Sequence, residues 1–308
     1  MLIFPSPDRE VLMSGYPLYI VDVFAESKYA GNQLAVVAGA DSLSDEEMQK
    51  IALEMNFSET TFVMSGGSPE KGYDVRIFLP HTETPFAGHP TLGSAFVIQK
   101  EIDPGTDEEI VLNLGIGKVP VRFEARSGET EILWMSPPTP TFGAIHSAES
   151  VAPMLGIPDE DIDDRFPVQE VAIGIPFVFV PVKNLDVLRN CSLDLRGRPD
   201  FMLDGRDLTC VFVFCPEAHD PGNHVAARMF FESNGVREDP ATGSANTCFA
   251  AYLFRHQYLA EGAVDARVEQ GYEMGRPSLL YLRASGDPDA PEVSVGGRVV
   301  LVARGTLV

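Results

Sequence analysis

Apolar and polar positions alternate along this chain in many short runs, the pattern of a strand-rich fold. Leu18–Phe24 (LYIVDVF) predicts a strand of β-branched and aromatic residues, and Leu34–Val37 a second one after the turn Ala30-Gly31-Asn32. Ser44 with Glu47 three residues on predicts a capping box. Met48, Ile51, Ala52 and Met55 then follow at helical spacing to about Asn56. Thr60–Met64, Asp74–Leu79, Ile110–Leu114, Val119–Phe123 and Glu131–Met135 read as strands, with a helical run after Pro90. Ser136-Pro-Pro-Thr-Pro-Thr reads as an extended joint, because proline cannot pair in a central sheet.

Beyond the joint, Ser147 opens a short acidic helix to Leu155. Strands are expected at Gln169–Ile173, Phe177–Val182, Cys210–Cys215, His224–Phe230, Ser278–Arg283 and Val293–Val302, with a helix from Pro240 to about His256. Most connections are too short for crossover helices, so the expected class is α+β with mainly antiparallel sheets.

Three segments recur in the same order. Gly31–Val37 resembles Gly174–Val180 at an offset of 143, Arg76-Ile-Phe78 matches Arg228-Met-Phe230 at 152, and His89-Pro-Thr-Leu-Gly-Ser-Ala95 matches Asp239-Pro-Ala-Thr-Gly-Ser-Ala245 at 150. Their common order points to a duplicated unit, a set of strands around one helix.

Composition narrows the function classes. The 308 residues are 44% hydrophobic and 22% charged, a globular balance, but Asp and Glu number 45 against 23 Lys and Arg, a net charge of −22. That balance argues against nucleic acid or an anionic membrane as the main partner. Only six of the basic residues are Lys, and one reading of such a surface is adaptation to salt. No apolar run is long enough to span a bilayer, and residues 1–15 read as a loose extension without a signal-peptide pattern. Cys191, Cys210, Cys215 and Cys248 show no metal-ligand spacing, so reduced thiols in a cytoplasmic protein are expected and no metal site. P-loop, HExxH and GxSxG patterns are absent.

The chemistry points to two helix starts. Asp239 before Pro240 reads as an N-cap followed by the first helical residue, while His89 before Pro90 is a poor cap. Taken alone, both read as local contacts. Taken together, two helix starts followed by small residues offer N–H groups and the positive ends of two dipoles to an anion such as a carboxylate. That field would keep Asp239 ionised and His89 neutral.

YAGNQLAVV (29–37), NFSETTFV (56–63), RIFLPHTETPFAGHPTLGSA (76–95), GIPFVFVPV (174–182), RMFFESNGVREDPATGSA (228–245) and QGYEMGRPS (270–278) resemble the phenazine-biosynthesis PhzF-like family, within the diaminopimelate epimerase-like superfamily. The resemblance runs from about Tyr16 to the C-terminus; Gln33 stands where that family usually has proline. It implies two pseudo-symmetric halves, each a curled, mainly antiparallel sheet around a central helix, with the site between them. It also implies a first half of 16–135 plus 296–308, a second half of 136–295, and a homodimer. Glu59 is then the catalytic acid and base, His89 and Asp239 orient substrate and assist proton delivery, and Ser244 hydrogen-bonds substrate. Asn32, Ser58, Gly88, Thr91 and Gly243 fall on binding positions, and Glu83 on a family position without a derived role. The superfamily's racemases resemble one another in using two cysteines; the helix starts here carry none. The leading expectation is a cofactor-independent isomerase of a small anionic metabolite. The alternatives are a non-catalytic small-molecule binder using the same cleft, and a racemase or epimerase pairing Glu59 with His89 or Asp239.

Overall fold

The computed structural model describes residues 15–105, 108–125, 131–193, 202–203, 206–207, 210–233 and 236–308. All of the expected N-terminal extension except Gly15 lies outside the described residues. The first run of elements is β1 (Tyr16–Val23), β2 (Asn32–Ala38), α1 (Asp45–Met55), β3 (Glu59–Val63), β4 (Tyr73–Phe78), β5 (Glu83–Thr84), α2 (Gly88–Val97), β6 (Glu109–Leu114), β7 (Gly117–Glu124) and β8 (Ile132–Met135). β9 (Thr141–His146) and α3 (Ala148–Leu155) follow. The second run is β10 (Val168–Ile173), β11 (Ile175–Pro181), α4 (Leu185–Asn190), the small pair β12 (Met202–Leu203) and β13 (Arg206–Asp207), β14 (Cys210–Cys215), β15 (Val225–Ser233) and β16 (Val236–Asp239). It closes with α5 (Gly243–Arg255), β17 (Val264–Gln270), β18 (Ser278–Asp287), β19 (Ala290–Gly297) and β20 (Val299–Leu307).

Local signals act where they are written. The Ser44 hydroxyl accepts from the Glu47 N–H at 3.3 Å, the Glu47 carboxylate accepts from the Ser44 N–H at 2.8 Å, and α1 stops at left-handed Asn56 (φ 52°). Besides the short strands β5, β12, β13 and β16, three longer elements escape the sequence pattern. β9 is open to solvent on alternate residues and includes Gly143 and Ala144, which carry no strand signal. α4 spans six residues, too few for an apolar periodicity. β17 alternates cleanly after the turn at Gly262 (φ 98°), yet it is not among the strands expected from the sequence. The expected strand over 293–302 is two strands parted at Arg298. A side chain on Gly296 would strike the Trp134 ring and one on Gly297 the Phe24 ring, at 2.7 and 2.3 Å, so the glycines mark a close approach inside an apolar run.

The duplication is written in the pairings. In the first run β1–β2 is antiparallel, β2–β3 parallel, β3–β4 and β4–β5 antiparallel, β4–β6 parallel, then β6–β7 and β7–β8 antiparallel. The same series runs through β10–β11, β11–β14, β14–β15, β15–β16, β15–β17, β17–β18 and β18–β19. The runs meet where β8 pairs with β19. After its β8, the first run sends β9 to β10; after its β19, the second sends β20 back to β1. Even side chains repeat. Arg76 grips Glu83 with two hydrogen bonds and lies over Phe78, as Arg228 grips Glu238 and lies over Phe230.

Register corrects one sequence match. Phe78 stands opposite Glu83 and Phe230 opposite Glu238, so the second hairpin is three residues longer. The helices therefore align Gly88 with Gly243, each the first residue of its helix, and His89 with Ser244. The offset-150 match of His89 with Asp239 is out of register. Gly93, which that match equates with Gly243, instead packs against Leu34 and Val23.

α2 and α5 are buried on almost every face, as apolar-all-round helices must be. α5 packs its Phe249 against Phe214 at 4.6 Å between ring centres, with Phe179, Phe212 and Tyr252 around them. Each such fully buried side chain contributes roughly 1.5–3 kcal/mol. Separate apolar clusters lie under α1 (Met48, Phe62, Phe78) and under α3 and α4 (Val151, Leu155, Leu188). No described helix is long and apolar enough to cross a membrane.

Candidate active site

The two central helices meet at their N-termini. A Cβ on Gly88 would lie 2.7 Å from the Gly243 Cα, and one on Gly243 would lie 2.9 Å from the Gly88 Cα. Only glycine permits that approach, which brings two sets of unpaired N–H groups together. Neither helix carries a side-chain cap. This corrects the expected capping. α2 starts at Gly88 after Ala87, so His89 sits in the first turn. α5 starts at Gly243 after Thr242, so Asp239 ends β16 rather than capping a helix.

β3 delivers Glu59 to this junction as its first residue, just past the α1 C-cap. Glu59 Oε2 lies 3.5 Å from His89 Nε2, with the two side chains 16% and 5% exposed. Both atoms are buried and neither has a hydrogen-bond partner. Asp239 stands close enough for its charge to act on Glu59. Asn32, the first residue of β2, donates from Nδ2 to Asp239 Oδ1 and to the Ala241 carbonyl, both at 2.9 Å. Ser58 donates to the same Oδ1 at 3.5 Å, and Thr242 donates to Oδ2 at 2.5 Å.

The turn before Asn32 is locked from the other run. The Arg276 guanidinium donates to the Gly31 and Ala30 carbonyls and to the buried Asp22 carboxylate, at 2.9, 2.6 and 2.7 Å. Gly31 needs its positive φ of 66°, since a Cβ there would meet the Val23 carbonyl oxygen at 2.3 Å.

Burial dominates the electrostatics. Glu59 is pushed up to about 8, by loss of solvent first and by the Asp239 charge second. Asp239 rises to about 6 through burial, opposed by the hydrogen bonds from Thr242, Asn32 and Ser58. His89 falls to about 3 through burial, opposed by a hydrogen bond to the Gln33 backbone. A proline in place of Gln33 would keep the carbonyl that accepts from His89, so the departure at this position spares the contact. Near neutral pH these shifts favour a protonated Glu59, an ionised Asp239 and a neutral His89. Desolvation, rather than the helix field expected from the sequence, is the larger cause.

The remaining expected residues divide. Asn32, Ser58, Gly88, Gly243, Glu59, His89 and Asp239 come together. Ser244 opens the first turn of α5, half-buried, with no described acceptor for its hydroxyl. Thr91 donates at 2.8 Å to the Ala87 carbonyl, one turn back along its own helix. Glu83 is partly exposed and paired with Arg76. All four cysteines are buried outside any disulfide, with Cys191 and Cys215 raised to about 12 and 11. Among the described residues no three His, Cys, Asp or Glu side chains cluster as metal ligands. Thr242, Gln270 and Asn246 were missed, although the first two lie in quoted motifs. Polar residues within an apolar helix (Asn246) and at the end of a buried strand (Gln270) are the signal that could have found them.

A family model described as phenazine biosynthesis-like protein (PhzC-PhzF) matches residues 21–305. The trans-2,3-dihydro-3-hydroxyanthranilate isomerase of Pseudomonas fluorescens is 35% identical over 292 residues, covering 94% of this chain and 98% of that protein. A Bacillus anthracis phenazine biosynthesis protein of the PhzF family superposes with a TM-score of 0.86 at 26% identity, over 96% of this chain and all of that one. A hydroxyproline epimerase from Agrobacterium vitis shares the fold at a TM-score of 0.60 and 12% identity, over 95% and 90% of the two chains. The chain belongs to the phenazine biosynthesis-like (PhzC-PhzF) family and stands among its isomerases.

Proposed function

We propose that this protein moves a proton between two carbons of a small, cyclic, unsaturated carboxylate, with Glu59 as the proton carrier. The observation that supports this most is the facing pair of buried, unpartnered atoms, Glu59 Oε2 and His89 Nε2, beside Asp239. Buried polar atoms are paired in the great majority of cases, and a catalytic role is one of the few reasons for an exception. A carboxyl held near 8 gains and loses its proton close to neutral pH, as a group that takes a proton and later returns it must. The paired helix N-termini suit the substrate carboxylate, Ser244 offers it a hydroxyl, and ionised Asp239 suits a substrate donor such as an amine or hydroxyl. The reaction named for the Pseudomonas fluorescens relative acts on a molecule of this class.

Distance weighs against a racemase that pairs Glu59 with His89. Acid and base on opposite faces of one carbon stand roughly 6–7 Å apart, each about 3–3.5 Å from it. At 3.5 Å these two leave no room between them.

Incubation with trans-2,3-dihydro-3-hydroxyanthranilate and related cyclic carboxylates in deuterated water tests the proposal. Deuterium should enter product or recovered substrate, and Glu59→Gln should lower the rate about 10²-fold or more. Turnover by Glu59→Gln at the wild-type rate, or ligand-induced thermal stabilisation without any exchange, overturns it.

A further inference from the structure

We infer that Gln270 is a positioning residue, which aims the Thr242 hydroxyl proton at Asp239 through a hydrogen-bond chain of fixed direction. The inference rests on the reading of Asp239 as a substrate-orienting carboxylate.

Backbone groups, whose polarity cannot reverse, set the direction. Gln270 Nε2 lies 2.8 Å from the Asp239 carbonyl, which only accepts, so that end of the side chain is the NH₂. Its Oε1 lies 3.3 Å from the Thr242 N–H, which only donates. Asn246 Nδ2 lies 3.0 Å from the Thr242 carbonyl and therefore also donates, at 2.9 Å, to Gln270 Oε1. Gln270 is 1% exposed, and its side chain cannot flip without setting like groups against each other. Its NH₂ then donates to Thr242 Oγ1 at 3.2 Å. With a lone pair of that hydroxyl engaged, its proton points to Asp239 Oδ2 at 2.5 Å. Helix α5 has no use for Thr242 as a cap, which leaves the hydroxyl for this contact.

The arrangement joins β17, β16 and the start of α5 into one unit whose output is a charged carboxylate. The charged and titratable groups that interact with Asp239 are Glu238 from its own strand, itself paired with Arg228, and Glu59 from β3, beside which neutral His89 from α2 stands. The Glu238 charge favours protonation of Asp239, whereas Glu59, neutral where Asp239 titrates, adds no charge against it. The directed hydroxyl opposes Glu238 together with Asn32 and Ser58.

The test is a carboxyl ¹³C NMR titration of Asp239 in the ligand-free protein, assigned with Asp239→Asn. Thr242→Val should move the midpoint up by about one pH unit, and Thr242→Ser should restore it. Gln270→Met should move it the same way although it touches neither carboxylate oxygen. The double variant should shift no further than Thr242→Val alone, because both act through one hydroxyl. An unmoved midpoint in folded Gln270→Met, even with a lower melting temperature, overturns the inference; so do additive shifts. If Gln270→Met does not fold, Asn246→Leu removes the donor that anchors Gln270, and an unmoved midpoint there is equally fatal. The titration needs no turnover, so its failure is distinct from wild-type activity in Glu59→Gln.

Discussion

Glu59 is held in a state that costs the fold. Its carboxyl titrates near 8 in the native protein against 4.5 as a model group, so between these values the native state binds a proton that the unfolded chain has released. Stability contributed by this position therefore falls as pH rises from about 4.5 to about 8. Glu59→Gln, which keeps the shape and removes the titration, should raise the melting temperature more at pH 8 than at pH 5. Differential scanning calorimetry across that range checks it, and a gain independent of pH would show that Glu59 titrates normally. The same imbalance makes the group useful, since an acid ready to release its proton at neutral pH is a poor structural residue and a good proton carrier. Its counterpart in the second run follows from register. Thr60 opposite Phe78 corresponds to Val211 opposite Phe230, so Glu59 corresponds to Cys210, a buried core residue. The duplicated plan thus carries a carboxyl on one side only, which suits a single proton carrier rather than an opposed pair.

At the scale of elements, the site depends on two helix ends in backbone contact. Gly88 and Gly243 carry this, and the physical demand is space, since both open their helices without unusual backbone angles. Gly88→Ala should force the helices apart, costing about 1–3 kcal/mol in urea unfolding together with most of the activity. Gly66→Ala is a poor control because its φ of 79° is itself strained, whereas Ala148→Gly on distant α3 tests for general fragility. Loss of activity in Gly88→Ala without loss of stability would mean that the contact is loose. Most of the elements were legible in the sequence because caps, turns and two-residue alternation are local signals. The helix starts were not: EDPAT has every local mark of an N-terminus, yet Asp239-Pro240 ends a strand and the helix begins three residues after the proline. Three extra residues in the β15–β16 hairpin move the helix relative to the preceding strand, and a match of four identical letters cannot reveal that.

For the whole molecule, the net charge of −22 is a standing repulsion. Many arginines are already committed to acids, among them Arg304 to Glu101, Arg122 to Glu109 and Arg76 to both Asp45 and Glu83. The surplus acids remain, and salt should screen them. The melting temperature is expected to rise by several degrees between about 20 mM and 1 M sodium chloride, beyond the Debye regime. A flat or falling profile by fluorimetry would remove salt adaptation as the reason for this surface. The strand exchange adds a second property of the whole. β20 pairs with β1 from Tyr16↔Leu307 to Val23↔Val299, so the two ends of the described chain close one sheet. Such distant contacts slow folding, because the chain must pay the loop entropy before the pairing returns it.

The sequence by itself determined what is local: the short strands, the Ser44 and Ser147 caps, the duplicated plan and the residue types of the site. The strands and caps follow from the spacing and backbone preferences of a few neighbouring residues, and the duplicated plan from matches recurring in the same order about 150 residues apart. The tertiary structure decided what depends on distance and solvent. It set Glu59 against His89, placed Asp239 on a strand end under three donors, and made burial rather than the helix field the main cause of their protonation states. It also joined Gln270 to the Thr242 hydroxyl and that hydroxyl to the Asp239 carboxylate. Desolvation has no sequence signature, since it depends on every element that packs around a group.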